Sequence, residues 1–182
     1  NGCNTRGREM ITSVKSGLAV TAHPDDENLG CGGTLLRLAQ EGTAIHWLVV
    51  TAATPPDYSA EAIEIQRQQV QVVKDAYRFA SIDWLRYATC YLDKRTLPEM
   101  LLDFRHCLEN TRPEWVFLPH HADVHGDHRV VFNAMAALLK PVGMRLYGVK
   151  RVLSCETISE TEAAMPLASN VFLPTVYVDI TS

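Results

Sequence analysis

Gly17-Leu18-Ala19-Val20-Thr21-Ala22-His23-Pro24-Asp25-Asp26-Glu27 couples an apolar run to a burst of one imidazole and three carboxylates. A short, unbroken apolar run reads as a strand buried on both faces, as in a parallel sheet. The polar burst then falls at the strand's carboxyl end. The same arrangement returns about a hundred residues later, where Trp115-Val116-Phe117-Leu118-Pro119 runs into Asp123-Val124-His125-Gly126-Asp127-His128. Two strand ends tipped with His and Asp are the two halves of a metal site if the fold brings them together.

The rest of the chain supplies that fold. Further strand candidates lie at 45–51, 83–87, 148–154 and 175–180, in addition to 17–22 and 115–119. Helical periodicity appears at 31–41, 59–79, 97–110 and 128–139, with 154–170 a loop or weak helix. Ser59 reads as a helix start and Gly42 as a helix stop. Strands alternating with helices predict an α/β fold, a mostly parallel sheet with helices on both faces. With right-handed crossovers, the first and fourth strands become neighbours at the point where the winding reverses. Ligands bind at that crevice in open α/β sheets, so the metal site is expected at the carboxyl ends of strands 1 and 4.

Composition narrows the function classes. With 182 residues, 47% of them hydrophobic, the chain is expected to form one domain over 1–182. Because it stops two residues after the strand candidate 175–180, it reads as lacking a C-terminal part. A net charge of −4 with scattered Lys and Arg speaks against a nucleic-acid partner. No run approaches the ~20 apolar residues of a membrane span, and the first sixteen residues hold no leader-like apolar core. Five cysteines (Cys3, Cys31, Cys90, Cys107, Cys155) form no CxxC pair, and free thiols in a reducing cytoplasm are the plain reading. Nothing fixes subunit assembly, and a homo-oligomer is compatible with the sequence.

Catalytic zinc takes three protein ligands and keeps a position open for water. His23 and Asp26, three apart on a tight turn, can hold an ion from one side, and His128 can supply the third ligand. This donor set suits Zn²⁺ and tolerates Fe²⁺, Mn²⁺ or Co²⁺. Asp25 is then placed to take a proton from water, and His125 to stabilise an oxyanion or protonate a leaving group. Asp127 can hold an imidazole in one tautomer, and Glu27 reads as a structural carboxylate rather than a fourth ligand. Cys31 reads as a small buried helix residue. The bland alternatives are a polar turn in which Asp25 or Asp26 caps a helix, and a solvated loop with incidental histidines. Two clusters at one sheet switch point favour the metal reading, and with it hydrolysis of an amide or ester. A catalytically silent metal- or sugar-binding protein is the runner-up. A phosphoesterase ranks third because two-metal sites need more ligands.

With these residues quoted, the chain resembles the LmbE/PIG-L superfamily of metal-dependent N-acetylglucosamine deacetylases. The resemblance rests on Ala22-His23-Pro24-Asp25-Asp26-Glu27, on Gly30 and Gly32-Gly33-Thr34, and on Asp123-Val124-His125-Gly126-Asp127-His128. A later stretch, 156–162, is also similar. It implies a Rossmann-like fold and removal of the acetyl group from a small-molecule N-acetylated sugar conjugate. It further implies His23, Asp26 and His128 as zinc ligands, Asp25 as general base, and His125 as the acid or oxyanion group, oriented by Asp127. Three positions depart from the family pattern: Gly126 stands where Pro is common, Ala52-Ala53-Thr54-Pro55-Pro56 follows Thr51 in place of an Asp/Asn-Gly pair, and Arg67 is followed by Val70 rather than Glu. Arg67 is expected either to contact a sugar hydroxyl or acidic aglycone, or to be an exposed helix residue.

Overall fold

The structure, a computed structural model, describes residues 14–181. Cys3 and most of the opening stretch read for a leader lie outside those residues. Five strands build one sheet in the order β3-β2-β1-β4-β5: β1 (Ser16–Thr21), β2 (Ala44–Ala52), β3 (Ser81–Ala88), β4 (Trp115–Pro119) and β5 (Arg151–Cys155). Every pairing is parallel. β1 and β4 are hydrogen-bonded neighbours with Leu18 opposite Val116 and Ala19 opposite Phe117. The winding reverses between them, as the alternation of strands and helices predicts.

Side chains alternate across the sheet, so each strand feeds two cores. Leu18, Val20, Leu48, Val50, Val116 and Leu118 point to one face, where α3 (Leu97–Thr111) brings Phe104 and Leu108 and α4 (Gly126–Leu138) brings Val131 and Met135. Ala19, Ile45, Trp47, Val49 and Phe117 point to the other, against Leu35 and Leu38 of α1 (Asp26–Gln40) and Val70 of α2 (Ala60–Tyr77). Burial on both faces explains why the strands read as unbroken apolar runs. Ser59 caps α2 by accepting the Ala62 N–H at 3.1 Å, and Gly42, at φ 89°, ends the turn after α1.

Three sequence expectations are corrected. α1 starts at Asp26, not near 31, so the helix begins inside the first motif. Gly30, Gly32 and Gly33 dilute its apolar periodicity, and Cys31 leaves helical geometry (φ −145°, ψ 16°) and kinks it. Gly32 packs close to α2, and a Cβ there would stand 2.5 Å from the Tyr77 hydroxyl and push that side chain aside. The strand candidate 148–154 is β5 at Arg151–Cys155, preceded by a short helix, α5 (Pro141–Tyr147), that ends on Gly148 at φ 83°. Residues 175–180 form no strand. They run beside the sheet edge and dock by side chains, with Ile180 against Gly33 and Val176 beside Trp115 and Val152. A period-2 apolar pattern marks extended chain, and only a ladder partner makes it a strand.

Candidate metal centre

The two motif loops leave the ends of β1 and β4 side by side. Thr51 of β2 anchors the first, donating its N–H (2.9 Å) and its hydroxyl (2.8 Å) to the Ala22 carbonyl. The turn then closes on itself, the His23 N–H donating to Asp26 Oδ2 at 2.8 Å. Asp25 stands at the N-cap of α1, yet its carboxylate makes no capping hydrogen bond, so the capping alternative does not hold for it. The second loop is held by Arg129, which donates to the Asp123 and Val124 carbonyls at 2.8 Å each. His125 occupies the N-cap of α4.

His23, Asp26 and His128 converge. His128 Nε2 lies 3.3 Å from Asp26 Oδ1 and 3.3 Å from His23 Nδ1, and His23 Nδ1 lies 3.6 Å from Asp26 Oδ2. Donors bound tetrahedrally at about 2.0–2.2 Å stand about 3.3–3.6 Å apart; each separation falls in that range, the two to Asp26 ending on different carboxylate oxygens, and with one donor atom per residue the trio lies within 4.8 Å. The far nitrogen of each ring is committed to a carboxylate. His128 Nδ1 meets Asp123 Oδ2 at 2.8 Å, and His23 Nε2 meets Asp127 Oδ2 at 3.2 Å. With those N–H groups so assigned, the lone pairs of His23 Nδ1 and His128 Nε2 face each other at 3.3 Å. Two bare lone pairs repel at that distance, so a cation belongs between them, either a proton or a metal ion. The residues fit a metal on donor chemistry and on spacing.

The titration pattern reports the same charge trap in its protonated form. Burial disfavours charge on His23, but hydrogen bonds to Asp127 and Asp26 outweigh it and lift its pKa from 6.5 to about 9. His128 rises to about 10 by the same balance, through Asp123 and Asp26. Burial would raise Asp26, yet the two imidazoles hold it well below the usual carboxylate range. Asp25 moves up, through burial and then repulsion from Asp26. His125 moves down, through burial and then the charge of His23.

Behind the trio lies a braced layer. Asp123 is fully buried and also accepts the Thr161 hydroxyl at 2.6 Å, while Thr161 Oγ1 accepts the Thr157 N–H at 3.0 Å. The Asp127 carboxylate accepts the backbone N–H of Cys90 at 2.7 Å and of Leu92 at 3.3 Å. The carboxylate thus grips His23 and the loop after β3. His125 is held instead by the Asp127 backbone N–H, which donates to His125 Nδ1 at 3.1 Å. That corrects the expected route by which Asp127 orients His125, and it leaves the His125 proton on Nε2. Glu27 is buried, takes the Asn28 amide at 2.9 Å on Oε1 and leaves Oε2 without a partner. Burial pushes its pKa up to about 8, so it behaves as a structural carboxyl outside the ligand trio.

A cavity of about 300 Å³ opens over the centre, lined by His23, Asp25, Asp26, His125 and His128 together with Leu29, Tyr58, Gln66, Thr89, Cys90, Ser159 and Glu160. Arg67 is not brought there. It lies on the exposed face of α2, paired with Glu64 at 2.9 Å. Its neighbour Gln66 faces the cavity, with Oε1 anchored by the Ala53 N–H at 2.9 Å. Sequence reading missed Gln66, for which helix phase is the only signal, while Tyr58 lies in the loop that leads into α2. It missed the backbone donors of Cys90 and Leu92, for which there is none. His46, His106, His120 and His121 bind Ser81, Asn110, Asn170 and Ser169 respectively, all away from the centre. Cys31, Cys90, Cys107 and Cys155 are free thiols, and Cys31 belongs to neither cluster of potential ligands.

Comparison with known proteins agrees with this geometry. The family described as GlcNAc-PI de-N-acetylase (PIG-L) matches residues 18–139, which take in both motif loops. YaiS of Escherichia coli K12, described as an uncharacterized deacetylase, is 28% identical over 158 residues, covering 82% of this chain and 77% of YaiS. The conserved protein TT1542 of Thermus thermophilus has the same fold, with a TM-score of 0.65 at 28% identity over 79% of this chain. The N,N'-diacetylchitobiose deacetylase of Pyrococcus horikoshii superposes with a TM-score of 0.59 at 24% identity over 74% of this chain, a likeness of fold. The chain spans 66% of TT1542 and 54% of the chitobiose deacetylase. Among the described residues no helix is long and apolar enough to cross a membrane.

Proposed function

The chain belongs to the PIG-L family of deacetylases, and on that premise we propose that it is a zinc-dependent hydrolase removing the acetyl group from an N-acetylglucosamine conjugate. The observation that carries the reading is the set of three donor separations, 3.3, 3.3 and 3.6 Å, among His23, His128 and Asp26. These three residues would hold the ion, Zn²⁺ first by donor type and Fe²⁺, Mn²⁺ or Co²⁺ next. When bound, such an ion supplies Lewis acidity and brings the pKa of water down to ~7.

The chain's own residues divide the remaining work. Asp25, with no capping bond to restrain it, lines the cavity and takes the proton of the attacking water. Water oxygen bonds to the acetyl carbonyl carbon while the carbonyl π pair moves to oxygen. His125 presents Nε2–H to that oxygen, because Asp127 N–H occupies Nδ1. The oxygen pair re-forms the carbonyl as the C–N bond breaks, and the nitrogen leaves as an amine carrying the proton that Asp25 took from the water, so that acetate remains and Asp25 is again a carboxylate. Tyr58 and Gln66 rim the space a sugar would fill. Arg67, exposed and paired with Glu64, is given no part.

The test is acetate release from a panel of N-acetylglucosamine conjugates by zinc-loaded protein. Wild type is expected to release acetate, and Asp25→Asn to lose on the order of 10²–10⁴ in kcat with metal still bound. Tight metal binding with no release from any conjugate would favour the catalytically silent binding protein.

A further inference from the structure

Cys31 and Cys155 are distant in sequence and meet where α1 crosses the end of β5. The two elements approach so closely that a Cβ on Gly30 would stand 3.2 Å from Cys155 Cβ, and the kink in α1 falls on the next residue, Cys31. Both side chains pack on the same core cluster, and both line a small hollow shared with Asp26 and Thr157. The two thiols are free and in hydrogen-bond contact with each other. Neither is sealed in the interior. Each is half-buried and lines a groove of about 400 Å³ between α1, β5 and the chain at 172–178, which gives a small reagent a path in.

We propose that Cys31 and Cys155 form a reversible disulfide on exchange with a small disulfide such as oxidised glutathione, and that the bond locks α1 to β5. The proposal does not rest on the deacetylase reading. One thiol gives its proton to solvent and its sulfur attacks the small disulfide, forming a mixed disulfide and expelling one small thiolate. The second thiol loses its proton and attacks the protein sulfur of that mixed disulfide, closing the Cys31–Cys155 bond and expelling the other thiolate. Two protein thiols are thereby oxidised and one small disulfide is reduced, and the two protons end on the expelled thiolates. The bond would close a loop of about 120 residues, and a cross-link of that span restricts the unfolded chain strongly. It would also join the supports of the two motif loops. Asp26 opens α1, while Thr157, two residues after Cys155, gives its N–H to the Thr161 hydroxyl that in turn bonds Asp123.

Incubation of the folded protein with oxidised glutathione, then alkylation and non-reducing peptide mapping by mass spectrometry, tests the pair without any substrate. Wild type is expected to yield the Cys31 and Cys155 peptides joined. In Cys31→Ala the Cys155 peptide should instead keep its glutathione adduct, and in Cys155→Ala the joined peptide should be absent. Oxidised wild type is expected to unfold roughly 5–10 °C above its reduced form, dithiothreitol should reverse the shift, and neither variant should show it. Stable glutathione adducts on wild-type Cys31 or Cys155 with no joined peptide, or a disulfide from either residue to Cys90, would overturn the pairing. Joined protein with an unshifted unfolding midpoint would overturn the lock.

Discussion

The two loops that meet between β1 and β4 are built in opposite ways. The first, residues 23–27, closes on itself through the His23 N–H to Asp26 and meets the second loop through the His23–Asp127 and Asp26–His128 contacts, while its Asp25 carboxylate makes no capping bond. The second, residues 123–128, is braced through most of its polar groups. Asp123 links His128 to Thr161, Asp127 links His23 to the Cys90 and Leu92 backbone, and the Asp127 N–H fixes His125. The contrast separates reactivity from positioning. A carboxylate that must accept a proton is left out of the helix cap, whereas imidazoles that must point one way are held by carboxylates and backbone donors.

That division can be broken by mutation. If the loose loop carries the chemistry, Asp25→Asn removes rate and leaves metal affinity intact; a variant that loses its metal instead would dissolve the distinction. If the braced loop positions the ligands, Asp123→Asn weakens zinc affinity by roughly 10–100-fold, measured by competition with a chelating dye. Unchanged affinity there would make the Asp123–His128 contact ornamental.

The facing lone pairs sharpen the comparison from the other side. In the metal-free protein near neutral pH both imidazoles are held in the charged form by Asp26, Asp123 and Asp127, with the pKa of His23 raised to about 9 and that of His128 to about 10. Metal binding should therefore expel on the order of one proton or more, and affinity should fall as pH drops. Calorimetric titration in buffers of different ionisation enthalpy reads this directly, and a buffer-independent enthalpy would contradict it. At the small end, Arg67→Ala should leave the thermal unfolding midpoint and KM unchanged, because its partner Glu64 lies on the same exposed face.

What could be read from the sequence follows the same line. His23, Asp26, His125 and His128 were legible because a few residue types at short spacing, each at the end of an apolar run, imply both a strand end and a ligand set. The β1–β4 adjacency was legible through crossover handedness. The brace was not. Thr161 reaches Asp123 from a four-residue helix, α6 (Ile158–Thr161), and is itself held by the Thr157 N–H, in a stretch with weak periodicity, and Cys90 and Leu92 act through backbone N–H groups that carry no residue signature. Of the two readings of Arg67, the exposed helix residue is the one that matches the structure: the rotation that points Gln66 at the cavity turns Arg67 to solvent. The 175–180 pattern failed for a different reason, since extended chain alternates its side chains whether or not a neighbouring strand is present.

X-ray absorption at the zinc edge, on protein loaded with one equivalent, tests the joining of the two loops most directly. The expected spectrum shows nitrogen and oxygen donors at about 2.0–2.2 Å with the multiple-scattering signature of two imidazoles and no sulfur. A first-equivalent spectrum with sulfur at about 2.3 Å, or with no imidazole signature, would contradict it.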